Sequence, residues 1–452
     1  MNKKEKLYIG IDIGGTKISG ALVKNTGDIL VNKKIPTPRK TSSRQFVNTI
    51  STVVSDVMKE AGIADKYLSG IGMGVPGVVD TDRGVVVVAP NLNLRNVNIV
   101  RDLKTRFKVK VIAGNDVNVG LLGEQWLGAG SGIKNVIGLF PGTGVGGAII
   151  IDGKMLTGIH GAAAELGHMI VESKGPSCTC GNKGCLEAAA GRWAIERDIR
   201  AEIKAGKKSK IKQLSGGRLA VIKSRVLSKA LKARDPVVTR VMKRASETLG
   251  YACRTLRHIF DPEMIIFGGG IIEACSDFMM PIIRKTALSD PFFSKFSGFR
   301  IVESLLGDDA VLLGAVALVM SEKDRKKAMT GYPELLLSQK NNELTVSGRT
   351  ISKDIYIRAD GKLKKRDVKR SNGNTDGLHN IGKDELKKVC KKRPEVLILA
   401  TRCRKGLTVT LQGENYLKKI GADYRILPLE QAVDEYRKIH RRKAILIHGK
   451  CL

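Results

Sequence analysis

Apolar and polar positions alternate with two different periods along this chain, and the changes of period divide it into parts. Residues 9–23 (IGIDIGGTKISGALV) read as an apolar strand, a glycine turn and a second strand, and residues 137–151 (IGLFPGTGVGGAIII) repeat that pattern. A repeat so widely spaced is too long for a solenoid. It predicts two similar lobes, each presenting a glycine hairpin to a shared cleft. Helical spacing is expected at 44–61 and at 235–260, where Val238, Val241, Met242, Ala245, Leu249 and Ala252 share a face. Short apolar runs at 70–75, 109–113 and 264–267 predict strands, followed respectively by Pro76-Gly77, Asn115-Asp116 and Gly268-Gly269-Gly270.

Beyond residue 320 the pattern changes. Residues 321–330 are charged and then polar, which predicts a linker, and 341–366 alternate like strands with a turn at Asp360-Gly361. After a polar loop at 371–380, helices are expected at 383–391, 414–420 and 429–440, and strands at 395–400, 424–427 and 444–448. The expected architecture is α/β throughout. It comprises a first lobe at 1–114 with 300–320 packing back on it, a larger lobe at 115–299, a linker at 321–340 and a separate small α/β domain at 341–452.

Length and composition fit this division. The chain has 452 residues, of which 42% are hydrophobic, so several packed cores are possible. No apolar run approaches the ~18 residues of a membrane helix. The basic, then apolar, N-terminus is interrupted by Asp12 and lacks a cleavage site, so a mature cytoplasmic start is expected. Of eight cysteines, three cluster at Cys178, Cys180 and Cys185, which points to metal ligation rather than a disulfide framework. The formal charge is +34, with +14 of it from Gly331 onward. A solvated basic surface explains that excess, and a polyanionic partner is the sharper alternative. Nucleic acid is not the expected partner, because the basic run at 362–370 has no recognition-helix pattern behind it.

The hairpin Gly142–Gly147 (GTGVGG) formally matches G-x-G-x-x-G, but a strand follows it where a dinucleotide fold needs a helix. No G-x-x-x-x-G-K-[ST] loop occurs. A glycine turn nevertheless exposes backbone N–H groups to phosphate. The first copy adds a carboxylate, a hydroxyl and a cation at Asp12, Thr16 and Lys17, around Gly14 and Gly15. Ordinary tight hairpins would explain the glycines but not Asp12 at the end of an apolar strand. Asn115-Asp116, followed by Asn118 and Glu124, either caps the next helix or offers Asp116 to a cleft as a general base.

The strongest local signal is Glu165-Leu-Gly-His168 followed by Cys178-Thr-Cys180-Gly-Asn-Lys-Gly-Cys185-Leu-Glu187. One imidazole and three thiolates complete a tetrahedral Zn²⁺ site, so the metal is expected to be structural. Glu165 and His168, three apart, would share one face of a helix. His160 and His258 have no motif partner, and Trp126 and Trp193 suit a core.

Together, DIGGTK, the GTGVGG hairpin, the late glycine triplet and the ungapped Glu165–Glu187 string resemble the ROK family of sugar kinases and repressors, in the actin-like ATPase superfamily, from about residue 7 to residue 320. The resemblance implies two actin-like (ribonuclease H-like) lobes around an ATP and sugar cleft. It implies that Asp12, Gly14, Gly15, Thr16 and Lys17 hold Mg²⁺-phosphate and that Gly142, Thr143 and Gly144 hold phosphate from the other lobe. Gly268, Gly269 and Gly270 would line the adenosine pocket, and Asp116 would be the base. Asn91, Asn115, Glu165, His168 and Glu187 would contact a hexose, and His168, Cys178, Cys180 and Cys185 would bind zinc. A homodimer is also implied. The family's repressors carry a winged helix before the first hairpin, for which only about seven residues are present here. A glucose-like hexose is the expected substrate, with N-acetylmannosamine, N-acetylglucosamine, mannose and allose as alternatives. Either ATP or polyphosphate could be the donor. The stretches PEVLILAT, ILPLEQAVDEY and AILIHGKCL resemble a small α/β domain of unknown function shared with a mitochondrial complex I assembly factor, although Thr401-Arg402-Cys403 departs from that pattern.

Overall fold

The structure, a computed structural model, describes residues 6–38, 41–217, 219, 221–322, 324–325, 335–337, 344–346, 349–351, 354–359, 363–366, 380–391, 394–401, 407–439 and 443–448. The chain divides into two units, Met1–Val23 with Ile29–Met320, and Lys24–Asp28 with Ser321–Leu452.

In the first lobe of unit one the elements are β1 (Leu7–Ile13), β2 (Lys17–Lys24), β3 (Ile29–Pro36), α1 (Ser43–Glu60), β4 (Leu68–Val75), β5 (Val78–Asp80), β6 (Val85–Ala89), β7 (Leu94–Asn98), α2 (Ile99–Phe107) and β8 (Lys110–Asn115). The second lobe follows with α3 (Asp116–Leu127), β9 (Val136–Pro141), β10 (Val145–Ile151), β11 (Lys154–Met155), α4 (Leu186–Ala190), α5 (Arg192–Lys204), α6 (Ile211–Leu214), α7 (Ser224–Lys232), α8 (Pro236–Phe260), β12 (Met264–Phe267), α9 (Gly270–Leu288) and β13 (Arg300–Glu303), and α10 (Ala310–Val319) returns to the first lobe.

The internal repeat becomes two sheets of the same order. The first is β3-β2-β1-β4-β8 and the second β11-β10-β9-β12-β13. In each, an antiparallel hairpin gives way to two parallel strands. The repeated glycine turns therefore occupy equivalent places, after β1 and after β9. Parallel strands β4 and β12 are buried at nearly every residue, as their unbroken apolar runs require.

The expected return of 300–320 to the first lobe begins later than its boundary suggests. Arg300–Glu303 pairs in parallel with β12 and belongs to the second sheet. Only after Ser304 does the chain cross, and buried Glu124 on α3 holds the crossing. Its carboxylate accepts the Ser304 hydroxyl at 2.6 Å and the Leu306 amide at 2.8 Å. Helix α10 then lies on β1 and β4 through glycines. A Cβ on Gly72 would sit 1.7 Å from the Ala315 carbonyl oxygen, and one on Gly314 would sit 1.7 Å from that of Val119. Both obstacles are backbone atoms and cannot rotate aside. Gly72→Ala should therefore cost ~1–3 kcal/mol of stability, read as a lower urea midpoint at unchanged slope.

Unit two contains a sheet of β16 (Ile355–Ile357), β17 (Leu363–Lys365), β18 (Val396–Thr401), β19 (Asp423–Pro428) and β20 (Lys443–His448), in the order β17-β16-β20-β18-β19. Alternation along β18 divides its core. Val396, Ile398 and Ala400 pack with Leu429, Val433 and Tyr436, while Leu397 and Leu399 pack with Leu386, Val389 and Leu417. The expected boundary at 341 is too late, because Leu335–Leu337 (β14) pairs with Leu344–Val346 (β15) and Leu335 is buried in that core. Most of the basic run 362–370, the Asp360-Gly361 turn, Cys403 and Cys451 lie outside the described residues. Among the described residues no helix is long and apolar enough to cross a membrane.

Candidate functional site

Three parallel strands of the first lobe, β1, β4 and β8, end side by side, and their ends gather the carboxylates. Asp12 is in register with Gly74, and a Cβ on Gly74 would come within 3.4 Å of the Asp116 Cα. The carboxyl ends of parallel strands are where such folds bind ligands. Asp116 is the first residue of α3, and its Oδ1 accepts the Val117 amide at 2.9 Å. Burial pushes the Asp116 pKa up, with Glu165 adding like charge, against the pull of the Val117 amide. Burial, and then the charge of Asp116, push Asp12 up to about 6; Asp308 adds to this, and Lys17 and Lys34 partly offset it.

The first hairpin is held from behind. Gly14 N–H donates to the Lys17 carbonyl at 2.9 Å, and the Thr37 hydroxyl donates to the Gly14 carbonyl at 2.6 Å. Gly15 and Thr16 are exposed at its tip, and Lys17 Nζ lies 3.6 Å from Asp308. Asn91, in a 3-10 turn after β6, places its Cβ 3.9 Å from where a Gly15 side chain would start. The second hairpin is held by α5. The Arg192 amide donates to the Gly142 carbonyl at 3.1 Å and the Trp193 amide to that of Thr143 at 3.2 Å. Gly268–Gly270 pack on the same strand end. Gly268 N–H donates to the Leu139 carbonyl at 3.1 Å, and Gly269, with φ +85°, would bring a Cβ within 2.7 Å of the Pro141 carbonyl oxygen.

Two residues expected as sugar contacts are engaged by the protein. Asn115 caps α3, accepting the Val117 and Asn118 amides at 2.9 and 3.0 Å, and its amide donates to the Gly77 carbonyl at 2.9 Å. It thus fixes the helix start that carries Asp116. Glu187 backs the second hairpin, accepting the Val145 amide at 3.1 Å, the Thr179 hydroxyl at 3.3 Å and the Trp193 indole N–H at 3.3 Å. A Cβ on Gly144 would meet its Oε2 at 1.9 Å.

Glu165 is exposed before the 3-10 turn Leu166–His168, not on an α-helix, and follows Ala164, whose φ is +64°. That left-handed conformation is strained for a residue with a Cβ. In the knuckle, ligand atoms of His168, Cys178, Cys180 and Cys185 lie within 4.8 Å of one another. His168 Nδ1 is 3.6 Å from Cys178 Sγ, and the Cys180 and Cys185 sulfurs are 3.7 Å apart. Metal–ligand bonds of about 2.0–2.3 Å give tetrahedral edges of about 3.5–3.8 Å, so this donor set fits Zn²⁺ and is too open for a disulfide. With Nδ1 turned to the knuckle, Nε2 is the nitrogen left for other contacts. Asp308 meets Lys17 of the first hairpin, Glu273 feels the charge of Asp308, and Arg192 bonds Thr143 of the second hairpin. Sequence patterns did not single them out, because their partners lie far away along the chain.

If Asp116 is the base, it works only as the carboxylate. The acid limb of kcat/KM should then sit above the ordinary value of 3.8, with activity lost as pH falls through it. A profile flat from about pH 4 to about pH 8 would exclude that role.

The ROK family model matches residues 8–322. A glucokinase of Thermotoga maritima is 35% identical over 313 residues, covering 69% of this chain and 96% of that protein. A xylose repressor of Caldicellulosiruptor bescii is 30% identical over 334 residues, covering 74% and 82%. Among solved structures, a ROK glucokinase of Streptomyces griseus in complex with glucose and AMPPNP is 31% identical, covers 69% of this chain and 99% of that one, and superposes with a TM-score of 0.59.

Proposed function

The chain belongs to the ROK family, and from that premise we propose that it is a sugar kinase that transfers a phosphoryl group from Mg-ATP to the 6-hydroxyl of a glucose-like hexose. The observation that carries this reading is the pairing of Asp12, at the end of β1, with Asp116, just past the end of β8 on the other side of β4, both pushed above ordinary carboxylate values. Two half-buried, mutually repelling carboxylates are a cost that sugar binding alone does not require. A kinase needs one for the proton and one for a divalent cation. The glucokinase relatives point the same way.

Asp116 Oδ2 takes the proton of the attacking hydroxyl while Oδ1 stays anchored to the Val117 amide. The hydroxyl oxygen bonds to the γ-phosphorus, and the bond from that phosphorus to the β–γ bridging oxygen breaks. The hairpins at Gly14–Lys17 and Gly142–Gly144 hold the phosphates from the two lobes. Asn91, Glu165 and His168 Nε2 orient the hexose, with Asn115 holding the turn at Gly77. Asp12, with Asp116 and Asp308 as acidic neighbours, forms the carboxylate-rich corner that fits Mg²⁺, which would supply charge neutralisation on the phosphates. Zn²⁺ on His168, Cys178, Cys180 and Cys185 would have no open position and would fix the His168 ring.

The second reading is a sugar-responsive regulator, which the xylose repressor relatives keep in view. Purified full chain given Mg-ATP and single hexoses, with ADP and the phosphorylated carbon both followed, decides between the two. Phosphate on the 6-hydroxyl of glucose supports the proposal. Binding of a sugar with no ADP released from any hexose would support the regulator.

A further inference from the structure

Asp12 has Asp116 and Asp308 as acidic neighbours, and Asp308 in turn has Asp309 and Glu273. Lys17, the cation expected to serve phosphate, is already 3.6 Å from Asp308. A nucleoside triphosphate carries more negative charge into the cleft than one Mg²⁺ offsets, so further positive charge must come from elsewhere. The sequence holds a candidate that the sugar kinase motifs leave unexplained: residues 203–234 contain eleven Lys and Arg and no Asp or Glu.

The fold brings part of that segment to the donor side of the site. A groove of about 570 Å³ runs from the start of α9 to the start of α5, and Gly270, Glu273, Arg192, Lys223 and Arg225 are among its walls. Arg192 is the link to the phosphate hairpin. Its guanidinium donates to the Thr143 hydroxyl at 2.9 Å and lies 3.7 Å from Glu196, and its side chain is 25% exposed. It is thus pre-oriented beside Gly142–Gly144 with part of its donor set turned to the groove. Lys223 and Arg225 are exposed, and no ion pair among the described residues engages either of them.

We propose that Arg192, with Lys223 and Arg225 on the same groove, binds the phosphates of the nucleotide donor and is a specificity determinant for the triphosphate over the nucleoside. This rests on the kinase reading for its meaning but not for its test. Guanidinium is the suitable cation here because its fixed fork serves the Thr143 hydroxyl and a phosphate oxygen at once. The two exposed cations add attraction that salt screens.

Calorimetric titration of the full chain with adenosine and with AMPPNP separates this from a structural role. Arg192→Gln should weaken AMPPNP binding by about tenfold or more and leave adenosine binding within about twofold, since charge-assisted bonds to phosphate are lost and base contacts are not. Arg192→Lys should recover part of the loss. The Lys223→Gln/Arg225→Gln double variant, altered only at exposed positions, should show the same split and keeps the test open if Arg192→Gln does not fold. AMPPNP binding unchanged in the double variant and in folded Arg192→Gln would overturn the proposal, as would equal losses for adenosine and AMPPNP or a wild-type chain that binds no AMPPNP. A wild-type chain that binds AMPPNP and shows the split, yet phosphorylates no hexose, would leave this inference standing and remove the kinase reading. Normal turnover with unshifted variants would do the reverse.

Discussion

Asp116→Asn is expected to lower kcat by ~10²–10⁴-fold while the KM for hexose and ATP changes little. The substitution is nearly isosteric. An Asn Oδ1 can still accept the Val117 amide that Asp116 accepts at 2.9 Å, and the Asn115 cap on α3 is untouched. Local structure should therefore survive, and the melting temperature should stay at or above that of the wild type, because a buried like charge beside Asp12 and Glu165 has been removed. What the carboxamide cannot do is take a proton. Steady-state kinetics at saturating substrates makes the check, and turnover within a few-fold of wild type would show that Asp116 is not the base.

The second large effect is expected at the knuckle. Cys185→Ala removes one of the four side chains that could hold a metal, from a cluster whose sulfur–sulfur and sulfur–nitrogen distances, 3.7 and 3.6 Å, match the edges of a tetrahedral site. Elemental analysis should find close to one zinc per wild-type chain and almost none in the variant. The KM for hexose should rise by ~10–100-fold or more, because His168 loses the contact that fixes its ring. The damage should reach the ATP side as well. Thr179, between two of the cysteines, donates to Glu187 at 3.3 Å, and Glu187 holds the Val145 amide of the second hairpin. Wild-type protein with three free thiols and no metal would remove the zinc from the account.

Much of this was legible before any coordinates, wherever the information is local. The two glycine hairpins share one sequence pattern, and they fold into sheets of the same strand order. The knuckle is legible because its four donors fall within eighteen residues. Illegible were relations between distant segments. Lys17 meets Asp308, Thr143 meets Arg192, and Glu124 clamps Ser304–Leu306, each pair being joined only by the topology. The same limit explains the shifted boundaries. Whether 300–303 and 335–337 are linker or strand depends on which edge they find, β12 in one case and β15 in the other. Asn115 and Glu187 show a further limit. A motif marks a residue as needed, but its partners decide whether it touches ligand or holds the groups that do.

The central claim is that this chain transfers phosphate and does not merely sense sugar. The most direct test is ³¹P NMR of the purified full chain with Mg-ATP and glucose, beside an identical sample of Asp116→Asn. The account predicts a growing hexose 6-phosphate resonance matched one for one by ADP in the wild type, and neither in the variant over the same time. An unchanged ATP spectrum in the wild type, with glucose bound and no other hexose phosphorylated, would contradict it.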